Sequence, residues 1–127
     1  MKPVAVITGA ANNIGLAIAN QFSLHYQVVG LDRAFHSQEP GSSNSDGQVR
    51  KVFCDITNPD EVASALQIAR ALGPIQVIVN SAAITEARAS ILDTSIESWR
   101  KLIDINLTGA FIVMKAAILF INFFYLK

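Results

Sequence analysis

The chain predicts an α/β fold, a parallel sheet flanked by helices. Three observations carry this expectation. Short apolar runs alternate with stretches of helical periodicity, a glycine-bearing turn joins the first run to the first helix, and an aspartate closes the second run. Val4 to Thr8 is a continuous apolar run, as expected of a central parallel strand buried on both faces, and Pro3 before it costs no ladder bond. Asn13 to Leu24 places Ile14, Ala17, Ile18 and Phe22 at helical spacing. Gln27 to Asp32 is a second strand. Between Arg33 and Gly47 lies AFHSQEPGSSNSDG, rich in Ser, Gly and Asn without helical period, so a surface loop is expected.

Val49 to Asp55 predicts a third strand. The next helix is signposted by Asn58 as cap, Pro59 at its first position and Glu61 completing a capping box, and Gly73-Pro74 ends it. Ile75 to Val79 is a fourth buried strand. Thr94 and Glu97 repeat the capping-box spacing ahead of a helix whose Ile96, Trp99, Leu102 and Ile103 share a face, and a further helix is expected from Leu107 onward. This succession, with right-handed crossovers, predicts a Rossmann-type sheet of spatial order 3-2-1-4, incomplete at one side. Residues 1–117 form the front part of a nucleotide-binding domain in this reading, and 118–127 form an atypical apolar tail.

Composition narrows the function classes. The chain has 127 residues, 51% hydrophobic and 16% charged, which suits one globular domain. Ten basic residues balance ten acidic ones, so neither nucleic acid nor an anionic membrane surface is the expected partner. The single cysteine, Cys54, reads as a small buried hydrophobe and fits a reducing, cytoplasmic setting. No metal site is expected. The N-terminal apolar run is too short for a secretory signal. Between Ile105 and Leu126 the only charge is Lys115, but Lys115 and Asn122 interrupt the roughly 20 apolar residues a membrane helix wants. A buried helix or the end of a truncated chain is expected there instead.

The segment from Thr8 to Gly15 lies between strand and helix, where glycine lets the backbone approach a pyrophosphate and the helix start offers free N–H groups. An ordinary glycine turn is the plain alternative. Its position after the first strand favours binding through Gly9, Ala11, Asn12, Asn13, Ile14 and Gly15. Asp32 follows at the spacing expected of a carboxylate that accepts from an adenosine ribose. A 2′-phosphate would be repelled there, which favours NAD over NADP, although Arg33 beside it softens the preference. The plain alternative for Asp32 is a solvated strand end.

Taken together, TGAANNIG, the Leu31-Asp32 pair, CDIT, VNSAA and ESWRKLIDINLTGAF resemble the short-chain dehydrogenase/reductase family, collinearly up to about Ala117. The resemblance implies an NAD(P)-dependent oxidoreductase acting on a small hydroxyl or carbonyl substrate. Its glycine motif has a middle glycine where this chain has Asn13, the non-glycine residue that best tolerates a left-handed backbone. The resemblance makes Asp55-Ile56 an adenine contact, though Asp55 also reads as a lead-in to the Asn58 cap. Asn80, Ser81 and Ala82 stand in the family's NNAG stretch, with Ser and Ala keeping the small size. Asn106 matches the asparagine that orders a water in the family's proton relay, or else eases a junction between two helices.

The family's serine, and its tyrosine with a lysine four residues on, are expected beyond the helix that contains Asn106. Neither Tyr26 nor Tyr125 has that spacing, since Tyr125-Leu126-Lys127 puts the lysine two residues away. The run ILFINFFYLK is not how the family continues, and an early stop, a retained intron or a shifted frame would each produce it. Two readings stand: an oxidoreductase by descent, inactive as this chain alone, or a nucleotide-binding fragment or interaction module without turnover. The fourth strand is expected to be an unprotected apolar edge, which makes the product aggregation-prone unless a partner completes the sheet. Oligomers of the family kind are expected only of a complete chain.

Overall fold

The computed structural model describes residues 2–35, 49–85 and 89–121. Four parallel strands, β1 (Val4–Thr8), β2 (Gln27–Asp32), β3 (Val49–Phe53) and β4 (Ile75–Val79), form one sheet in the order β3-β2-β1-β4. This is the topology the alternating pattern predicts. β1 lies at the centre and all five of its residues are buried, as its unbroken apolar run requires.

Alternation along β1 divides the core. Val4 and Val6 pack with Val29, Leu31, Cys54 and residues of α2 (Pro59–Leu72) and α4 (Ala110–Ala117) on one face of the sheet. Ala5 and Ile7 pack with Val28, Phe35 and Ala19 of α1 (Asn13–Phe22) on the other. Cys54 is buried, as expected, and its thiol is pushed up to about 12 by burial, helped by the carboxylates of Glu61 and Asp55.

Several expectations are corrected in detail. The buried residues of α1 are Gly15 and Ala19, with Ile18 and Phe22 half-buried, whereas Ile14 is 71% exposed. The short helix carries its small residues against the sheet and leaves Ile14 at the strand's end. The loop expected after Arg33 opens on a 3₁₀ turn, Arg33–Phe35, because Phe35 finds a place in the core; 36–48 lie outside the described residues. β3 stops at Phe53, two residues before the expected Asp55.

The cap of α3 (Ile96–Ile103) is Ser95, whose Oγ accepts from the Ser98 amide, and not Thr94, whose hydroxyl donates to the Ser90 carbonyl. The face shared by Ile96, Trp99, Leu102 and Ile103 has no fully buried residue. α3 and α4 are not separate helices. A π-helical stretch, Asp104–Gly109, joins them into one run from Ile96 to Ala117.

β4 is only partly covered, and among the described residues its outer edge carries one isolated backbone bridge, parallel, between Ile75 and Ile121. The edge expected to be bare is therefore touched at its first residue. Residues 122–127, including Tyr125 and Lys127, lie outside the described residues. Among the described residues, no helix is long and apolar enough to cross a membrane and no group of side chains is placed to hold a metal ion.

Candidate functional site

The carboxyl ends of the strands open into a cleft of about 780 Å³. Four separate segments meet in it: Gly9 with Asn12 to Gly15 after β1, Leu31 to Ala34 at the end of β2, Cys54 to Ile56 after β3, and Ser81 to Thr85 after β4. Ile105 of the π-helical stretch closes one side. Crevices at this end of a doubly wound sheet are where ligands of such folds bind.

The turn after β1 is shaped by two glycines and an asparagine. Gly9 has φ +68°, and a Cβ there would stand 2.8 Å from the Ala82 Cα. Gly15 lies against the Gly9 carbonyl with no space for a side chain, which seats the helix start on the turn. Asn13 adopts φ 48°, the left-handed conformation expected where the family motif has glycine. Asn12, the N-cap of α1, makes no side-chain capping bond, and the first turn holds no acidic residue. The N-terminus of α1 therefore presents its amide dipoles to the cleft without a negative group of its own.

Asp32 ends β2 and is tied to that turn. Its Oδ2 accepts from the Ala11 amide at 3.0 Å and its Oδ1 accepts from the Ala34 amide at 2.9 Å. Each carboxylate oxygen has further lone-pair capacity, so the group remains able to accept from a ligand hydroxyl. Ala11 reaches the site by its backbone in this way, although it does not line the cleft.

Asp55 stands after β3. Its Oδ1 accepts from the Thr57 amide at 3.0 Å and the Thr57 hydroxyl at 2.7 Å, and its Oδ2 lies 3.9 Å from Arg33 Nε. Partial burial pushes its pKa up, but the two Thr57 hydrogen bonds and the Arg33 charge outweigh this and hold it below the ordinary carboxylate range. Ile56 is buried, with its side chain against Gly109, where an added Cβ would come within 2.7 Å.

Thr8 is the residue that the sequence pattern did not bring forward. It is fully buried, and its hydroxyl accepts from the Ser81 amide at 3.1 Å and the Ala82 amide at 3.0 Å, while facing the Val79 carbonyl at 3.5 Å. These contacts use the hydroxyl's full capacity and draw the segment after β4 down onto Gly9. The signal was present: a polar residue closing an otherwise apolar buried strand.

Asn80 stands at the rim and donates to the Ala110 carbonyl at 3.4 Å, outside the residues that line the cleft. Asn106 lies in the π-helical stretch and clamps Ile84 from both sides. Its Oδ1 accepts from the Ile84 amide at 2.8 Å and its Nδ2 donates to the Ile84 carbonyl at 2.9 Å. The side chain thus fixes the cleft's fourth segment. A π stretch also shifts the backbone bonding out of step, a feature found often at functional sites.

The short-chain dehydrogenase family model matches residues 3–122. The chain is 31% identical over 128 residues to a short-chain type dehydrogenase/reductase of Picea abies, covering 90% of this chain and 47% of that protein. It is 33% identical over 118 residues to meso-2,3-butanediol dehydrogenase of Serratia marcescens, covering 91% of this chain and 47% of that protein. Among solved structures, the ligand-free aldohexose dehydrogenase of Thermoplasma acidophilum superposes with TM-score 0.77 at 36% identity, over 94% of this chain and 44% of that one. The chain spans about half the length of the relatives it matches.

Proposed function

We propose, because this chain belongs to the short-chain dehydrogenase family, that its cleft holds a nicotinamide dinucleotide and that it is the nucleotide-binding part of an oxidoreductase acting on a small hydroxyl or carbonyl compound. The observation that carries this reading is the convergence of the uncapped α1 N-terminus, the anchored Asp32 and the small-residue segment Ser81–Ala82 on one cleft. Without a Cβ at Gly9 or Gly15 the turn closes directly onto the Ala82 backbone and the Gly9 carbonyl, which supports the reading that the helix start is held at the cleft where a pyrophosphate can meet its amides.

In this proposal the amides from Asn12 to Gly15 bind the pyrophosphate, and Asp32 accepts from the adenosine ribose hydroxyls. Asp55 and Ile56 border the adenine, with the Asp55 carboxylate facing its exocyclic amine. Ser81 and Ala82, positioned by Thr8, border the nicotinamide side. NAD is preferred over NADP because Asp32 is acidic. A bound nicotinamide dinucleotide supplies hydride exchange with a hydroxyl or carbonyl carbon. A proton must then reach or leave the substrate oxygen, and no tyrosine of this chain has a lysine four residues on. The 127 residues are therefore proposed to bind without turnover, in a cytoplasmic setting, and assembly into oligomers is assigned to the complete subunit.

Nicotinamide emission on titration with NADH tests binding, and loss of the nicotinamide absorbance band with carbonyl compounds tests turnover. Saturable enhancement without absorbance loss is expected. No enhancement at any concentration would overturn the binding proposal.

A further inference from the structure

Among the described residues there is one ion pair, and it crosses the mouth of this cleft. In the order β3-β2-β1-β4, the turn after β1 lies on one side of the β2 end and the exit of β3 lies on the other. Asp32 and Arg33, adjacent and oppositely charged, are drawn to opposite sides. Asp32 Oδ2 goes to the β1 side, accepting from Ala11. Arg33 Nε goes to the β3 side, 3.9 Å from Asp55 Oδ2. Asp55 is fixed by the two Thr57 bonds to its Oδ1, which leaves Oδ2 facing the guanidinium.

We propose that Asp55 is a specificity-determining residue that acts through Arg33. By holding the guanidinium toward β3, it leaves the ribose site at Asp32 with an unopposed carboxylate, and so favours a nucleotide without a 2′-phosphate. The inference rests on the dinucleotide reading above. Arginine's planar fork pairs well with a phosphate, so a released Arg33, one residue from Asp32, is suited to meet a 2′-phosphate. The Arg33 side chain is 62% exposed and the pair is not short, so its hold is that of a surface ion pair and shifts discrimination a few-fold. Asp32 stays in place throughout, so releasing Arg33 weakens the NAD preference without reversing it.

The test titrates the intact chain and its Asp55→Asn, Arg33→Gln and doubly substituted variants with NADH and with NADPH, following nicotinamide emission. Asparagine keeps an acceptor for Thr57, and any loss of adenine contact affects both nucleotides alike, so the ratio of the two dissociation constants is the readout. Asp55→Asn is expected to lower the NADPH-to-NADH ratio about threefold. Arg33→Gln is expected to abolish that gain in the double variant. A ratio unchanged by Asp55→Asn, or the same drop without Arg33, would overturn the inference while leaving dinucleotide binding intact. Failure of the native chain to bind either nucleotide would overturn both.

Discussion

α1 and α2 both follow a strand of the same sheet, yet their N-termini are built in opposite ways. α2 satisfies itself: Asn58 Oδ1 accepts from the Asp60 and Glu61 amides, Pro59 removes one donor, and Asp60 and Glu61 supply negative charge to the first turn. Glu61 goes further and accepts from the Asp55 amide at 2.7 Å. α1 has none of this, with an N-cap that makes no side-chain bond and no acid in its first turn. The difference separates a helix start closed by its own cap from one left open, which is where the proposed reading puts the ligand. A helix that caps its own N-terminus has no donors to offer, and one left open beside a cradle of glycines has them for a ligand.

The largest effect on this comparison is expected from Gly9→Val. A β-branched residue would take on a positive φ and meet Ala82 at 2.8 Å, at a cost of about 3 kcal/mol in urea unfolding, with NADH binding lost. A variant that keeps native binding would show that the α1 N-terminus is not the anion site. Thr8→Val comes next. It keeps the shape but removes the partner of the Ser81 and Ala82 amides, costing about 2 kcal/mol and loosening the segment after β4. Hydrogen exchange at those two amides should quicken; unchanged protection would refute the positioning role.

Asn58→Ala is expected to cost about 1 kcal/mol and to change the NADH dissociation constant far less than Gly9→Val does, since its Oδ1 caps α2 and it reaches Asp55 only indirectly, through Glu61. Weakened binding with stability intact would blur the distinction between the α1 and α2 N-termini. The smallest effect is expected from Asn13→Gly. The backbone is already left-handed at φ 48°, so stability should move by less than about 0.5 kcal/mol and binding should survive. A large loss would mean that the Asn13 side chain itself carries the site.

Much of this was legible because local chemistry and tertiary structure agree. The all-apolar β1 could only be central, and Asn58-Pro59 with Glu61 marked the start of α2. Spacing alone singled out Asp32 and the 9–15 turn as a candidate pair, and the structure brings them together through Ala11. What was missed depends on partners distant in sequence. The role of Thr8 exists only because the segment after β4 folds over it, 73 residues away in the case of Ser81. Helical spacing placed Ile14 on the buried face, but the buried face is set by where Gly15 and Ala19 meet the sheet. The π-helical join between α3 and α4 has no period of its own to read. Trp99, 55% exposed, shows that an apolar helical stripe predicts a face seeking cover and not what covers it.

The most direct test is backbone amide resonance mapping of the isotopically labelled chain during titration with ADP-ribose. The largest shifts are expected at the amides from Ala10 to Gly15 and at Ala34, with Asp60 and Glu61 at the α2 N-terminus unmoved. Shifts centred on α2, α3 or α4 with a silent 9–15 turn would contradict the assignment of the open α1 N-terminus as the nucleotide site.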